Sequence, residues 1–249
     1  MDKLTIKTPE EIEIMAEGGR KLAEIRDEIS RQVQPGISTG QLDTMAEKMI
    51  IKAGGKPSFK MVPGYAWATC INLNETVVHG IPGEEKIKKG DKVGIDVGMF
   101  YKGYHTDTSV TVGGPEKFLE VGRLALKKAA EQASPGKRIM DISKMMQETV
   151  EGAGYSVVRA LTGHGIGRKL HEEPAIPCFA MGKYEHSPLL VSGMVLAIEV
   201  MYNEGAAEVA YKNDDGWTIV TADDKISGLF EHTVAVTGDG PVVLTTVKK

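Results

Sequence analysis

Four acids and one histidine hold most of the chemical content of this chain. Asp96, Asp107, Glu199 and Glu231 each stand in a segment that otherwise reads as a strand, and His164 is framed by glycines in Thr162-Gly163-His164-Gly165-Ile166-Gly167. A strand buried in a sheet should be apolar along its length. An ionised carboxylate in its middle is costly unless something compensates it. Four such acids and one imidazole are too many ligands for one tetrahedral zinc. They suit two divalent ions about 3.5 Å apart, bridged by carboxylates, of the kind used for hydrolysis. The oxygen-rich set favours Mn, Fe, Co or Zn over a thiolate-loving metal. No G-x-S-x-G element is present, so a serine nucleophile on that plan is not expected.

Two of the acids fall at equivalent places in an internal repeat. Gly90-Asp91-Lys92-Val93-Gly94-Ile95-Asp96-Val97 matches Gly193-Met194-Val195-Leu196-Ala197-Ile198-Glu199-Val200. Upstream, Pro35-Gly36 and Pro135-Gly136 head matching helical segments in which Leu42, Met45, Ala46, Met49 and Ile50 recur as Ile142, Met145, Met146, Thr149 and Val150. The pattern predicts two halves related by a pseudo-twofold axis, with the acid strands close to it and a shared cation between them.

The elements that must position these residues are legible in outline. Thr8-Pro9-Glu10-Glu11 has the form of a helix start with a capping box, and its apolar stripe runs to Val33 before Pro35-Gly36. A second helix is expected from about Thr39 to Ala53, and others over Glu116–Ala133 and Asp141–Val150. Strands are expected around Cys70–Leu73 and Val77–His79. Val93–Tyr101 and Tyr104–Val112 read as a hairpin closed near Lys102-Gly103, across which Asp96 and Asp107 could face one another. Further strands are expected at Ser156–Leu161, Val195–Tyr202, Ala207–Tyr211, Thr218–Thr221, Glu231–Thr237 and Val242–Thr246. Helices and strands mix without regular βαβ alternation, which predicts an α+β fold with mostly antiparallel sheet. No linker or low-complexity tract interrupts residues 1–249, so one domain is expected.

Composition excludes several function classes. The chain has 249 residues, 41% hydrophobic and 26% charged, with a net charge of −4. Direct nucleic-acid binding is not expected from that charge. The basic pairs Lys88-Lys89, Lys127-Lys128 and Lys248-Lys249 read as solvated positions. No apolar run is long enough to cross a bilayer. The start Met1-Asp2-Lys3-Leu4 carries no apolar signal core. A cytoplasmic protein is therefore expected, with Cys70 and Cys178 as free thiols.

The chain resembles the type I methionine aminopeptidases, of the pita-bread metallopeptidase family. The resemblance rests on Asn74-Glu75-Thr76-Val77-Val78-His79-Gly80-Ile81-Pro82, Ile95-Asp96-Val97 with Asp107-Thr108-Ser109, Gly163-His164-Gly165-Ile166-Gly167, His171-Glu172-Glu173-Pro174, Ile198-Glu199, Asp215-Gly216-Trp217-Thr218 and Glu231-His232-Thr233. It implies removal of the initiator methionine from nascent polypeptides whose second residue is small. It implies that Asp96 holds one metal, that His164 and Glu199 hold the other, and that Asp107 and Glu231 bridge. Glu199 would transfer protons, while His79 and His171 would contact substrate and stabilise the tetrahedral intermediate. The methionine pocket would draw on Phe59, Val62, Tyr65, Cys70 and Trp217, although for Phe59 and Val62 plain core packing is an equal reading. A monovalent cation is placed by the resemblance near Asn74, Thr76 and Ser227. Nascent N-termini are the implied partners, a transient ribosome contact is compatible with that, and a monomer is expected.

Three positions depart from the family's pattern: Val200 stands where Pro is common, Gly98 where Thr is common, and Leu170 where an aromatic is common. Two other readings compete. An X-Pro peptidase of the same fold would differ in the N-terminal residue released. A non-catalytic pita-bread binding protein would differ in having lost its metal ligands.

Overall fold

A computed structural model describes residues 4–212 and 214–247; Met1–Lys3 and Lys248-Lys249 lie outside the described residues. The first half of the chain supplies α1 (Pro9–Arg31), α2 (Thr39–Lys52), β1 (Lys56–Pro57), β2 (Thr69–Leu73), β3 (Thr76–Val78), β4 (Val93–Tyr101) and β5 (Tyr104–Val112). The second supplies α3 (Glu116–Ala130), α4 (Ile139–Glu151), β6 (Ser156–Val157), β7 (Thr162–Gly165), β8 (Glu172–Pro177), β9 (Val195–Asn203), β10 (Val209–Tyr211), β11 (Ile219–Thr221), β12 (Ser227–Thr237) and β13 (Gly240–Val243). No helix among the described residues is long and apolar enough to cross a membrane.

The repeat in the sequence is a repeat in space. The large sheet runs β1-β4-β5-β12-β9-β7-β8, with β2 also on β4, and β6 also on β9. The acid strands β4 and β9 thus occupy equivalent places on either side of a central β5–β12 pair, whose strands are antiparallel. Each half starts its second helix with a cap-residue N–H donating to a side chain three residues on, Ser38 to Gln41 Oε1 at 2.9 Å and Arg138 to Asp141 Oδ2 at 2.7 Å. Only Ser38 completes a capping box, its Oγ accepting from Gln41 N–H at 3.2 Å, since a guanidinium has no acceptor; the bridges Ser38–Lys86 and Arg138–Leu189 tie both starts to the loop before the acid strand. This is the pita-bread architecture, an α+β fold with mostly antiparallel sheet.

Side-chain alternation along the strands separates structure from chemistry. Ile95, Val97 and Met99 of β4 pack with Leu22, Ile29, Leu42 and Ile50 of α1 and α2. Leu196, Ile198 and Val200 of β9, with Phe230 and Val234 of β12, pack with Phe118, Leu126, Ile142 and Met146 of α3 and α4. The helices therefore cover one face of the sheet. The intervening residues, including Asp96, Glu199 and Glu231, project from the other face.

The Val93–Tyr101 and Tyr104–Val112 arms appear with the expected bounds, because Lys102 and Gly103 both take positive φ, 47° and 95°, in the two-residue turn. Thr8 caps α1 with the expected box, its Oγ1 accepting from Glu11 N–H at 3.3 Å and Glu11 Oε2 accepting from Thr8 N–H at 2.9 Å. Other boundaries differ. The strand expected over Ser156–Leu161 ends at Val157; Val158 N–H still reaches the Met201 carbonyl at 2.9 Å, and the chain then leaves the edge and returns as β7. Glu231 does not open its strand but lies in the middle of β12, which begins at Ser227. The last strand is Gly240–Val243 rather than Val242–Thr246. Strand β8 was not expected, since Glu172-Glu173-Pro174-Ala175-Ile176-Pro177 has no strand pattern; its prolines are tolerated at the end of the sheet path.

Candidate active site

Register places the five metal-ligand candidates on one face. One cross-strand row runs Asp96, Ser109, Glu231, Glu199 through β4, β5, β12 and β9. Cys70 of β2 extends it beyond Asp96. The adjacent row starts at Gly98 and Asp107. It passes through Thr233, whose Oγ1 donates to the Asp107 carbonyl at 2.8 Å and accepts from Asp107 N–H at 2.9 Å. It ends at Ala197 and His164. Residues directly opposite share a face, as do residues two apart on a strand. Asp96 and Asp107 are thus diagonal neighbours rather than directly opposed; Gly98 is the residue facing Asp107. Asp107, His164 and Glu231 each present a ligand atom, all within 4.8 Å of one another.

The floor is electrostatically unfavourable without a cation. Burial raises the carboxyl pKa of Asp107, and the charges of Asp96 and Glu199 add to it. Burial likewise raises Glu199, with Asp96 adding to it, and Glu231, with Asp107, Glu199 and Asp96 adding. Asp96 is raised by burial, to about 7, against weaker opposing effects of the Cys70 thiol and Val97 N–H. Its Oδ1 is buried without a hydrogen-bond partner among the described residues. His164 is prepared as a neutral ligand. Its Nδ1 lies 2.9 Å from the Gly165 carbonyl, and a carbonyl only accepts, so Nδ1 carries the proton and Nε2 keeps its lone pair. Burial, then the neighbouring His171, lowers its pKa to about 4.

Above this floor is a cavity of about 360 Å³, and every expected pocket residue lines it: Phe59, Val62, Tyr65, Cys70, Trp217, His79 and His171. The reading of Phe59 and Val62 as core alone is therefore too narrow. Tyr65 and Trp217 meet edge-to-face with centroids 5.1 Å apart. Asp215 fixes the tryptophan's loop by accepting from Trp217 N–H at 2.8 Å and Thr218 N–H at 2.9 Å. His79 sits just past β3 at φ 57°, and burial, then His171, lowers its pKa. Burial alone lowers that of His171, whose ring centroid is 4.5 Å from that of His164.

Val78, Leu161, Thr162, and Met201 also line the cavity and were not foreseen. Met201 was accessible to a period-two count from Glu199. Asp43 was missed altogether. Its Oδ1 accepts from Ala68 N–H at 2.9 Å, and from Thr69 N–H and Oγ1, both at 2.8 Å, anchoring the strand that carries Cys70.

Residues 13–238 match metallopeptidase family M24. The chain belongs to that family. Among curated relatives it is 43% identical to the methionine aminopeptidase of Clostridium perfringens, over 98% of this chain and 100% of that one. It is 44% identical to methionine aminopeptidase 1 of Bacillus subtilis, over 97% and 98%. Among solved structures, the methionine aminopeptidase of Thermotoga maritima superposes with a TM-score of 0.93 at 41% identity, covering 98% of this chain and 100% of that one.

The donor set fits the divalent metal that an M24 metallopeptidase requires. It offers carboxylate oxygens, one imidazole with a free Nε2, and an orphaned Asp96 oxygen. The three departures from the family pattern have local explanations. Val200 points away from the floor, opposite Phe230 in the helix-side core. Gly98 has no room for a larger residue, because a Cβ there would lie 2.9 Å from both the Phe59 ring and Ser58 Cβ. Leu170 is buried in the cavity wall.

The monovalent cation placed by the resemblance fits poorly. The Asn74 carbonyl accepts from Ser227 N–H at 3.0 Å, and the Thr76 carbonyl already accepts from the Lys92 ammonium at 3.1 Å. Burial lowers the Lys92 pKa to about 7, against the opposing charge of Glu75. A second cation about 4 Å from that ammonium would be repelled by about 4 kcal/mol at an effective dielectric of about 20.

Proposed function

We propose that this M24 enzyme is a methionine aminopeptidase that removes the initiator methionine from nascent polypeptides when the second residue is small. The observation that carries the reading is the convergence, in one cavity, of a five-residue donor floor from both halves of the chain with an aromatic and aliphatic wall. Asp96 would hold one divalent ion, and His164 with Glu199 the other. Asp107 and Glu231, which lie in the middle strands of their rows, would bridge. The chemistry a divalent pair supplies when bound is a water of low pKa and polarisation of the scissile carbonyl. Mn, Fe, Co and Zn all suit the donors.

The chain's own residues do the rest. Glu199, at the cavity floor, takes the proton released from the attacking water and passes it to the leaving amine. His79 and His171 flank the substrate as neutral imidazoles, each with one donor and one acceptor nitrogen. They hold the peptide and donate to the oxygen that gains charge in the tetrahedral intermediate. Phe59, Val62, Tyr65, Cys70 and Trp217 take the unbranched thioether side chain, which is flexible and polarizable. Leu170, in place of an aromatic, leaves room for slow release of Leu or norleucine, since one methylene-sized misfit is worth only about 1–3 kcal/mol. Residues 1–249 form a single catalytic domain, acting as a monomer in the cytoplasm and reaching the ribosome transiently through its nascent-chain substrates.

The test is peptide hydrolysis after metal stripping and readdition of single metals, with Met-Ala-Ser beside Leu-Ala-Ser, Ala-Pro-Ser and Met-Lys-Ser. Met-Ala-Ser should be cleaved only with metal and should be the best substrate. Preference for Ala-Pro-Ser would favour an X-Pro peptidase, and equal rates across first residues would leave a general aminopeptidase.

A further inference from the structure

Behind the strand that leads to His79 lies an ammonium group that the reaction does not use. Lys92 stands just before β4 and is 2% exposed. Its Nζ donates to the carbonyls of Asn72 and Thr76, each at 3.1 Å. The carboxylate whose charge acts on it is Glu75, and that group is itself engaged by Lys212 at 2.8 Å. Lys92 therefore does not complete a buried ion pair. It places a positive charge among backbone oxygens, which is what a bound Na⁺ or K⁺ does.

The surrounding backbone is organised about this residue. Lys92 N–H donates to Asn74 Oδ1 at 3.0 Å, and Asn74 N–H donates to the Lys92 carbonyl at 3.0 Å. Asn74 takes a positive φ of 44°, so the chain between β2 and β3 turns tightly around the lysine. The ammonium clamps both sides of that turn, Asn72 in β2 and Thr76 at the start of β3. Three residues beyond Thr76 is His79, also at positive φ, 57°.

We infer that the Lys92 ammonium is a tethered substitute for a monovalent cation: it fixes the Asn72–Thr76 turn and thereby positions His79, so that this chain requires no free Na⁺ or K⁺ there. Lys92 is a positioning residue and does not touch substrate. The link to turnover rests on the role given to His79 under the proposed function; the cation substitution itself does not.

The test uses the full chain loaded with its divalent metal, at constant ionic strength, with tetramethylammonium as the only monovalent cation or with Na⁺ or K⁺ added. Wild type should show the same Tm, kcat and KM for Met-Ala-Ser in all three. Lys92→Met, in tetramethylammonium, should have a lower Tm and a kcat reduced roughly tenfold or more, with little change in KM or metal content. K⁺ or Na⁺ should restore both saturably. Crystals soaked in Rb⁺ should show an anomalous peak beside the Thr76 carbonyl in the variant and none in wild type. A wild-type Tm or rate that falls when Na⁺ and K⁺ are withdrawn would overturn the inference, as would a Rb⁺ peak there in wild type, or a folded variant that no monovalent cation rescues. If the variant does not fold, the wild-type cation series and Rb⁺ soak still decide. Should neither protein cleave Met-Ala-Ser, the methionine reading fails, while Tm and Rb⁺ binding continue to report on Lys92.

Discussion

In the metal-free protein, Asp96→Asn should stabilise the fold, and by more as pH rises. The folded-state pKa of Asp96 is raised to about 7, chiefly by burial, against about 3.9 in an unfolded chain. A carboxyl with a raised folded pKa keeps its proton longer in the folded state. Its contribution is intact below the unfolded pKa and is lost as pH rises through the folded one. One such proton costs about 1.4 kcal/mol per pH unit across that window. Between pH 5 and pH 7 the wild type should therefore lose on the order of 2–3 kcal/mol relative to the asparagine variant from this group, and more because the Asp96 charge also raises Asp107, Glu199 and Glu231. In a chain of this size that corresponds to a difference in Tm on the order of 5–10 °C. The buried histidines, whose lowered pKa values act in the opposite direction, are present in both chains and cancel in the difference. The assay is thermal or urea unfolding of both proteins with a chelator, at intervals from pH 5 to pH 8. Adding Mn²⁺ or Co²⁺ should reverse the order, because metal binds the ionised wild-type carboxylates and stabilises the folded state by mass action. Parallel pH profiles for the two metal-free chains would refute the argument that the acid floor is a liability the metal relieves.

Three further outcomes are expected. Asp107→Asn should bind metal weakly and abolish turnover while keeping the wild-type far-ultraviolet spectrum; full hydrolysis of Met-Ala-Ser by chelator-treated wild type would sink the metal mechanism behind it. His79→Ala and His171→Ala should each lower kcat/KM by about tenfold for every 1.4 kcal/mol of transition-state stabilisation removed, with metal content unchanged; loss of metal from either variant would make that histidine a ligand. Gly98→Ala should destabilise by about 1–3 kcal/mol through overpacking, more than the roughly 0.4–1 kcal/mol gained from a stiffer unfolded chain. Its added Cβ would meet the Phe59 ring and Ser58 Cβ at 2.9 Å, so KM for methionyl peptides should rise, and Phe59→Leu in the same chain should relieve part of both effects.

What could be read from the sequence was what carries a large local penalty. An acid in the centre of Val93–Tyr101 or Val195–Asn203 cannot be reconciled with a buried strand unless a cation compensates it, and its recurrence in both halves pointed to a shared site. The hairpin bounds were legible because Lys102-Gly103 is a turn by local chemistry alone. Strand β8 was not, because two prolines and two acids erase the alternation that marks a strand. The Asp96–Asp107 relation was right in face and wrong in register, although a turn at Lys102-Gly103 pairs Tyr101 with Tyr104 and so, counted back along both arms, already sets Asp107 opposite Gly98.

The groups that hold the site in shape were invisible for a related reason. Asp43 follows Leu42 in what reads as a helix, and Lys92 follows Asp91 in what reads as a turn; both have the spacing of ordinary solvated charges. Their burial is decided by partners distant in the chain: Ala68 and Thr69 for Asp43, and Asn72 and Thr76 for Lys92. A charge in an apolar run signals its cost where it stands, whereas a charge in a polar run acquires that cost only when the fold closes over it. Site ligands of the first kind can be found from one sequence, and the residues that position them require the structure.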